Sequence, residues 1–430
     1  MNRLYKHWDN LRSSLWFIPT IIVAAAVVLA LGLIELDAPE NGWQLAERWP
    51  RLFGAGAEGS RGLLSAIASS MITVAGVTFS ITIVALTLAS SQYTSRILRN
   101  FMRDRANQSV LGVFLGIFVY CLIVLRTIRS GDEGAFVPAL AVLVAVLLAF
   151  VAIGFLIFFI HHIAASLQAT SIIESVAAET LLVIDRLYTI QPTETDHVNS
   201  MQKIASAPKI WATIPALKTG YIQAVDADAL FELANKLNSV VRMEKEIGEF
   251  VIENCALASV TGKQADKETI RHLNAAYTVD KHRTVDQDAS YGIRQIVDVA
   301  LKALSPGIND TTTAINCIDY LGSILVRLAP RQIQSPCRYQ KDQLRVITCG
   351  PTFCSLLAAS FDQVRQNAEG NVAILTRLLQ TLSIIAIQTS DENRLDIIRK
   401  HINLVNETVE RSVPSAHDRL SIQIAQSKHN

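Results

Sequence analysis

The stretch GLLSAIASSMITVAGVTFSITIVALTLA, residues 62–89, is apolar and uncharged, yet it carries many hydroxyl side chains. As an α-helix it would reach about 42 Å, which exceeds the roughly 30 Å hydrocarbon core of a bilayer. The sequence therefore predicts a membrane-spanning helix here. Its small and polar residues recur every three, four or seven positions, which places them on one helix face. We call this set the hydroxyl stripe; its members are Ser65, Ser69, Thr73, Gly76, Ser80 and Thr87.

Three further apolar runs accompany this segment. Residues 15–34 and 136–160 carry no charge, and both are long enough to cross a bilayer. The run that starts at Val110 is shorter, and Arg126 and Arg129 at its end can extend their charged heads to the membrane surface. We therefore predict a membrane domain over residues 1–160 with four transmembrane helices, at about 15–34, 62–89, 110–128 and 136–160.

The flanks of these spans predict an orientation. Lysine and arginine are enriched before the first span and after the second, and this bias marks the cytoplasmic side. We expect both chain termini in the cytoplasm and a first span that is retained rather than cleaved as a signal peptide. The basic residues that carry the prediction are Arg3, Lys6, Arg12, Arg96, Arg99, Arg103 and Arg105.

The composition changes after residue 160 to that of an ordinary soluble region. Residues 161–190 have an apolar helical face and predict a connecting helix that continues the fourth span. Residues 205–262 predict a small β-rich module, and residues 263–430 predict a mainly helical domain. The predicted fold class is thus an α-helical membrane protein with a C-terminal α+β cytoplasmic domain that contains a small β module.

The most distinctive soluble stretch reads RTVDQDASYGIRQIVDVALKALSPGINDTTTAINCIDYLG, residues 283–322. It predicts two helices separated by the SPGIND turn, residues 305–310, because proline and glycine end the first helix and an Asn or Asp side chain can cap the second. Polar residues are concentrated here, and they fit either a structural network of ion pairs and caps or a small-ligand site. This polar set is Arg283, Asp288, Arg294, Asp298, Ser305, Asn309 and Asp310.

Four spans followed by this segment and by the earlier strand GYIQAVD, residues 220–226, resemble an uncharacterised bacterial family of predicted membrane proteins with a domain of unknown function. The resemblance covers nearly the whole chain, and the SPGIND turn with its flanks is its most specific part. Thr311 stands where many members of the family carry proline, a difference that affects only the first helical turn. The resemblance implies a location in the bacterial inner membrane and implies no particular activity.

Several function classes are disfavoured by the sequence. The net charge of +1 and the lack of a basic cluster interleaved with aromatic residues argue against nucleic-acid binding. No HExxH, CxxC or glycine-rich phosphate-binding motif occurs, and no Ser–His or Cys–His pattern stands out. We therefore expect no catalytic residues, no metal site and no cofactor, and we do not expect an enzyme.

The hydroxyl stripe leaves two interpretations open. Small and hydroxyl residues can pack transmembrane helices closely, or they can line a hydrated path. Our main hypothesis is a homo-oligomeric ion channel whose second span lines the pore, with Phe79 and Ile83 as hydrophobic gate candidates and Arg96, Arg99 and Arg103 at the cytoplasmic mouth. The expected partners are the bilayer, other copies of the chain, and ions or a small ligand. The alternative is a membrane-anchored sensor or scaffold that binds a ligand or partner near the SPGIND turn.

Overall fold

The computed structural model describes residues 16–37, 56–92, 104–129, 136–166, 168–188, 210–262, 265–333, 337–341 and 343–427. The chain divides into two compact units, which we call the membrane unit (residues 1–171) and the C-terminal unit (residues 172–430). Each unit buries hydrophobic residues in a core of its own.

In the described part of the membrane unit, four helices are long and apolar enough to cross a membrane. This result confirms the predicted architecture of four N-terminal transmembrane helices. The third helix is the most enclosed, since 50% of its apolar window is buried, against 11% to 22% for the other three. In chain order the helices are α1 (Phe17–Leu36), α2 (Gly56–Gln92), α3 (Arg105–Thr127) and α4 (Ala139–Ser166).

Helix α3 begins five residues before the apolar run that predicted it. The side chain of Asp104 caps the helix by accepting a hydrogen bond from the backbone N–H of Ala106 at 2.9 Å. Asn107 and Gln108 follow in the first turns, and both are buried among the helices. A hydropathy pattern cannot assign such polar residues to a span, so the predicted start at residue 110 was too late.

Helices α1 and α3 approach each other closely at two glycines. A Cβ atom on Gly112 would lie 2.8 Å from Cδ1 of Ile22 and 2.9 Å from Cα of Pro19. A Cβ atom on Gly116 would lie 3.4 Å from Cβ of Ala26. Glycines four residues apart share one helix face, and in membranes such a face allows backbones to meet. This contact fixes α1 against the centre of the bundle.

The end of α1 also caps the start of α4. The Asp37 carboxylate accepts hydrogen bonds from the backbone N–H groups of Leu140 at 2.8 Å and Ala141 at 3.2 Å. These groups belong to the first turn of α4, where backbone donors lack partners within the helix. The buried Tyr120 hydroxyl of α3 donates to the carbonyl of Ala141 at 2.8 Å. One end of the bundle is therefore joined by polar bonds across three helices.

The C-terminal unit combines helices and strands, as predicted for this region, and its described residues are mostly helical. They form two small sheets rather than one β module. Its helices are α5 (Ala169–Leu187, whose first residues belong to the membrane unit), α6 (Ala227–Lys236), α7 (Lys267–Ala275), α8 (Ala289–Ala303), α9 (Thr311–Leu328), α10 (Phe353–Asn367), α11 (Val372–Ile387), α12 (Glu392–Ser412) and α13 (Ala416–Ser427). Its strands are β1 (Trp211–Pro215), β2 (Gly220–Val225), β3 (Val241–Met243), β4 (Phe250–Val251), β5 (Ala256–Thr261), β6 (Tyr277–Asp280), β7 (Cys337–Gln340) and β8 (Gln343–Ile347).

The sheets combine strands that are far apart in the sequence. One sheet has the order β1-β5-β3-β8-β7, and the other has the order β4-β2-β6. Strand β8 lies parallel to β3, with Val346 opposite Val241. The predicted division between a β module ending at residue 262 and a separate helical domain is therefore wrong. Strands β6, β7 and β8 come from beyond that boundary. They pair with backbone N–H and C=O groups at the edges of the earlier strands, which would otherwise lack hydrogen-bond partners.

The predicted single helix from the fourth span through residues 161–190 is divided in two. Helix α4 ends at Ser166 and α5 begins at Ala169. The Ser166 hydroxyl donates to the carbonyl of Ile163 at 3.1 Å, and the backbone N–H of Gln168 bonds to Ala165, three residues earlier. Such local bonds tighten the last turn and compete with continuation of the helix.

Candidate functional site

The hydroxyl stripe lies on the exposed face of α2. All six of its positions are exposed on the membrane unit. At 3.6 residues per turn the stripe occupies an arc of about 80°, and the buried face of the same helix is centred about 150° away. Helix α2 therefore packs against its own chain without using the stripe. The buried face consists of Ser60, Leu64, Ala68, Met71, Ala75, Thr78 and Ala85.

The stripe has the length and the chemistry of a path across a membrane. From Ser65 to Thr87 it extends about 33 Å, close to the thickness of a bilayer core. The hydroxyl of Thr73 donates to the carbonyl of Ser69 at 2.8 Å, and that of Thr87 donates to the carbonyl of Ile83 at 2.9 Å. These threonine hydrogens are thus satisfied within the helix, while their oxygen atoms remain on the exposed face. At Gly76 a Cβ atom would meet nothing within 4 Å.

The two gate candidates border this stripe. Phe79 is 48% exposed and Ile83 is 45% exposed. Ile83 lies about 40° from the centre of the stripe and Phe79 about 80° from it, on the same side. Both apolar side chains therefore stand beside the oxygen atoms. The predicted mouth residues Arg96, Arg99 and Arg103 lie outside the described residues.

The polar set around the SPGIND turn is not one network. Its first pair, Arg283 and Asp288, lies at the beginning of α8, where Nη2 of Arg283 is 2.7 Å from Oδ2 of Asp288. Asp288 also caps α8 by accepting a hydrogen bond from the backbone N–H of Tyr291 at 3.0 Å. The 15-residue helix separates this pair from the turn by about 22 Å. Residues that are close in sequence are thus kept apart by the helix between them.

The second pair is Arg294 and Asp298, in the middle of α8. Nη2 of Arg294 lies 2.7 Å from Oδ1 of Asp298, the expected pairing of residues four positions apart. Nη1 of the same arginine donates to Oε1 of Gln363 in α10 at 2.6 Å. This guanidinium therefore joins two helices, which favours a structural role for the pair.

The third group forms the SPGIND turn itself. The Ser305 carbonyl accepts the backbone N–H of Asn309 at 2.9 Å, and Asn309 adopts a left-handed conformation with φ of 47°. Asp310 caps α9 by accepting the backbone N–H of Thr313 at 3.0 Å and its hydroxyl at 2.6 Å. The hydroxyl of Thr313 and the backbone N–H groups of α9 hold the pKa of the Asp310 carboxyl below its usual range. Asp310 is therefore the capping residue.

An open cavity of about 540 Å³ lies beside this turn. Helices α9 and α11 begin side by side there, since Nδ2 of Asn371 is 3.3 Å from the Thr311 hydroxyl. Most of the lining comes from residues 367–373, some 60 residues beyond the turn, so no local sequence pattern could indicate the cavity. Its lining residues are Leu304, Asn309, Asn367, Glu369, Gly370, Asn371, Val372 and Ala373. Within the described ranges, no group of three or more His, Cys, Asp or Glu side chains could hold a metal ion.

Helix α5, which follows the fourth span in the chain, contacts α8 through one threonine and binds two arginines at and just after the end of α9. A Cβ atom on Gly292 would lie 1.9 Å from Oγ1 of Thr180, so the threonine side chain packs directly on this glycine. Asp185 of α5 binds Arg327 at 2.9 Å and Arg331 at 2.6 Å. Sequence reasoning missed this contact, although the glycine of GIRQ was a possible signal for close helix packing.

Comparison with known proteins gives the family. The family model described as "Predicted membrane protein (DUF2254)" matches residues 12–383. This chain belongs to the DUF2254 family. The family therefore includes the membrane unit and most of the C-terminal unit, including the SPGIND turn, and the resemblance inferred from the sequence is confirmed.

Two mycobacterial proteins are similar to this chain over nearly its whole length. The chain is 32% identical over 434 residues to the uncharacterized protein Rv1290c of Mycobacterium tuberculosis and, equally, to the uncharacterized protein Mb1321c of Mycobacterium bovis. Each match covers 98% of this chain and 81% of the relative. No solved structure gives a significant match to this chain. The comparisons support a membrane protein with several apolar helices.

Proposed function

We propose that this DUF2254 protein is a homo-oligomeric ion channel in which α2 of each subunit faces a shared axis. The observation that carries the proposal is the outward position of the hydroxyl stripe. Hydroxyl oxygens exposed to lipid would lose hydrogen bonding to water, a loss that is costly in an apolar medium. Placed around an axis, the same oxygens would instead contact water and permeating ions.

The chemistry of the stripe suits passive conduction. Neutral hydroxyl oxygens can replace part of the hydration shell of an ion without binding it tightly, and conduction requires such weak binding. The predicted span at residues 62–89 carries no charged residue, which favours a channel over a coupled pump. In this proposal Phe79 and Ile83 close the path by excluding water, and Arg96, Arg99 and Arg103 attract anions at its mouth.

The proposal includes a location and an orientation. The chain would lie in a bacterial inner membrane with both termini in the cytoplasm, and the C-terminal unit would assemble or gate the pore there. The basic flanks of the first and second spans support this orientation. Reporter fusions at the two termini test it: a terminus outside the cytoplasm contradicts the orientation. We also propose that the protein is not an enzyme, on the basis of the motifs that its sequence lacks.

Two measurements test the channel. The first is the oligomeric mass of the protein in lipid nanodiscs, for which a ring of at least four subunits is expected. The second is ion flux into proteoliposomes for a variant in which Ser69, Thr73 and Ser80 are replaced by leucine. Ser70→Leu is the matched control, because Ser70 is exposed on the same helix but lies outside the stripe.

We expect the triple variant to assemble normally and to lose flux, while Ser70→Leu retains it. If the triple variant loses assembly instead, the stripe is a packing surface and the pore proposal is wrong. A monomer in nanodiscs, or a triple variant with unchanged flux, also contradicts the proposal.

The gate is tested separately at Ile83. Replacement of Ile83 by serine should raise flux, because a hydrophobic constriction becomes easier to hydrate. Ile81→Ser is the control, since Ile81 is also exposed on α2 but points about 120° away from the stripe centre. Equal effects of the two changes contradict a gate at Ile83.

A sensor role for the C-terminal unit is the second candidate function, and the cavity beside Asn309 favours it. A cavity of about 540 Å³ has room for a small polar ligand. Thermal-shift screening of the full chain against amino acids, nucleotides and dicarboxylates tests this role. Replacement of Ala373 by tryptophan fills the cavity and should abolish a genuine shift, whereas a shift that persists in this variant excludes the site.

A further inference from the structure

The turn of residues 244–249 docks tightly against the segment of residues 283–288. At its tip Gly248 has a φ of +89°, and a Cβ atom there would lie 2.1 Å from Oδ2 of Asp288 and 2.6 Å from Nη2 of Arg283. The backbone of the turn thus lies directly on the Arg283–Asp288 ion pair. Asp288 caps α8, so this docking joins the β region of the C-terminal unit to the helix that leads to the SPGIND turn.

Three carboxylates lie at this contact, but only two basic side chains form ion pairs with them. Lys245 binds Glu249 at 3.1 Å, and Arg283 binds Asp288 at 2.7 Å. The carboxylate of Glu246 is half-buried, and none of the described residues gives it a hydrogen bond or an ion pair. It nevertheless lies within the electrostatic reach of both other carboxylates. One acidic group of the three is therefore left without compensation.

The surroundings of Glu246 all raise the pKa of its carboxyl. Burial raises the pKa of the Glu246 carboxyl, and the negative charges of Glu249 and Asp288 raise it further. Burial also raises the pKa of Tyr188 to about 12, and Asp288 and Glu246 contribute to that rise. The titratable and charged groups around Glu246 lie on four parts of the chain. They are Glu244, paired with Arg242, and Lys245 and Glu249 on the turn, Arg283 and Asp288 on the facing segment, Tyr188 at the end of α5, and Cys349 after β8.

We propose that residues 244–249 and 283–288 form a proton-operated latch in which protonation of Glu246 tightens the docking of the turn and its ionisation loosens it. A protonated Glu246 removes a charge from a site with like charges, and its O–H can donate to a neighbouring carboxylate. Tyr188 directly follows α5, the helix after the fourth span. Tyr188 lies within the electrostatic reach of Glu246 and Asp288, so the latch lies close to the end of α5.

The direction of the pH effect follows from linkage. Since the pKa of Glu246 is raised by folding, the docked turn binds more protons than the free turn in the interval between the two pKa values. Docking is thus strongest below the pKa of the free carboxyl, and it weakens as the pH rises through the pKa of the docked one. Each pH unit of difference between the pKa of the docked carboxyl and that of the free carboxyl changes the docking equilibrium by about tenfold. This pH dependence is the opposite of ordinary acid denaturation, in which the structure is weakened as the pH falls.

Hydrogen exchange measured by mass spectrometry on the full chain in nanodiscs tests the latch. Peptides that cover residues 244–249 and 283–288 are compared at about pH 4.5, close to the ordinary pKa of a glutamate carboxyl, and at about pH 7.5, after correction for intrinsic exchange. Glu246→Gln removes the titrating group. Glu253→Gln is the matched control, because Glu253 lies on the exposed loop that follows β4. Gly248→Ala pushes the turn away from the ion pair at any pH.

The wild type and Glu253→Gln should both lose protection several-fold at the higher pH. Glu246→Gln should stay protected at both values, and Gly248→Ala should be unprotected at both. The latch is wrong if Glu246→Gln keeps the wild-type pH dependence, if Glu253→Gln abolishes it, or if the wild type shows none.

Discussion

Replacement of Gly292 by alanine should destabilise the C-terminal unit, because α5 and α8 touch there. The new Cβ atom would lie 1.9 Å from Oγ1 of Thr180 and 3.0 Å from its Cγ2. Thr180 is fully buried, and its hydroxyl is bonded to the carbonyl of Val176 at 2.7 Å, so the side chain has no free space to enter. Either α5 must move away from α8 or the threonine must change rotamer and give up its bond.

The size of the effect follows from two opposing contributions. Overpacking a well-packed core costs about 1–3 kcal/mol, and the upper half of this interval fits such a short contact. Alanine in place of glycine stabilises a helix interior by up to about 1 kcal/mol. The net loss in the free energy of unfolding should be about 2 kcal/mol. For a unit of roughly 250 residues this loss lowers Tm by about 4–8 °C.

The assay is thermal unfolding of the full chain in nanodiscs, followed by intrinsic fluorescence at one scan rate. Gly307→Ala is the control in the same segment, because a Cβ atom at Gly307 meets nothing within 4 Å. Its Tm should stay close to the wild-type value. Thr180→Ala removes Oγ1 and Cγ2 and leaves only Cβ, 3.0 Å from the new atom, so the double variant should recover much of the lost stability, with a coupling free energy of about 1–2 kcal/mol.

Two results would refute this reasoning. One is a Gly292→Ala variant as stable as Gly307→Ala, which would mean that α5 does not approach α8 as described. The other is a double variant that is merely the sum of the single changes, because additivity would show that Thr180 is not the obstacle.

Three further predictions concern other contacts. Gly112→Ala should reduce the thermal stability of the protein in nanodiscs by the cost of separating α1 from α3, about 1–3 kcal/mol, whereas Gly154→Ala, with open space around it, should not. Asp185→Asn should lower Tm at neutral pH and leave the buried Arg331 without its ion pair. Hydrogen bonds from arginine lower the pKa of Asp185, so its contribution is complete above about pH 4 and the Tm difference should shrink as the pH falls further. Gly76→Leu should reduce flux but preserve oligomeric mass if the stripe lines a pore; loss of assembly would indicate a packing surface.

The sequence predicted the elements whose signal is local. Four uncharged or nearly uncharged apolar runs are long enough to identify spans without knowledge of their neighbours, and their number and order are confirmed. The cap of α9 at Asp310 was also predictable, because capping depends on residues three positions apart. The pair Arg294–Asp298 follows from helical spacing in the same way.

Features that depend on distant segments could not be predicted. The parallel pairing of β3 with β8 joins residues about 100 positions apart, and short strands carry no sequence signal for such a partner. The polar set was predicted to gather around one turn, but the length of α8 separates its members. The cavity beside Asn309 and the docking of Gly248 on Asp288 likewise arise from chain segments that meet only after folding.

The interior of the membrane unit bears on where an ion path could run. Among the described helices of the membrane unit, α3 is the most enclosed. The buried residues of α3 between Val110 and Val124 are apolar except for Tyr120, whose hydroxyl is already bonded to Ala141. Close contact with α1 at Gly112 further fills this space. A row of oxygen atoms that extends about 33 Å occurs instead on the exposed face of α2. A conducting path along α2 therefore requires several subunits, and for this reason the oligomeric mass is the measurement that most directly tests the channel proposal.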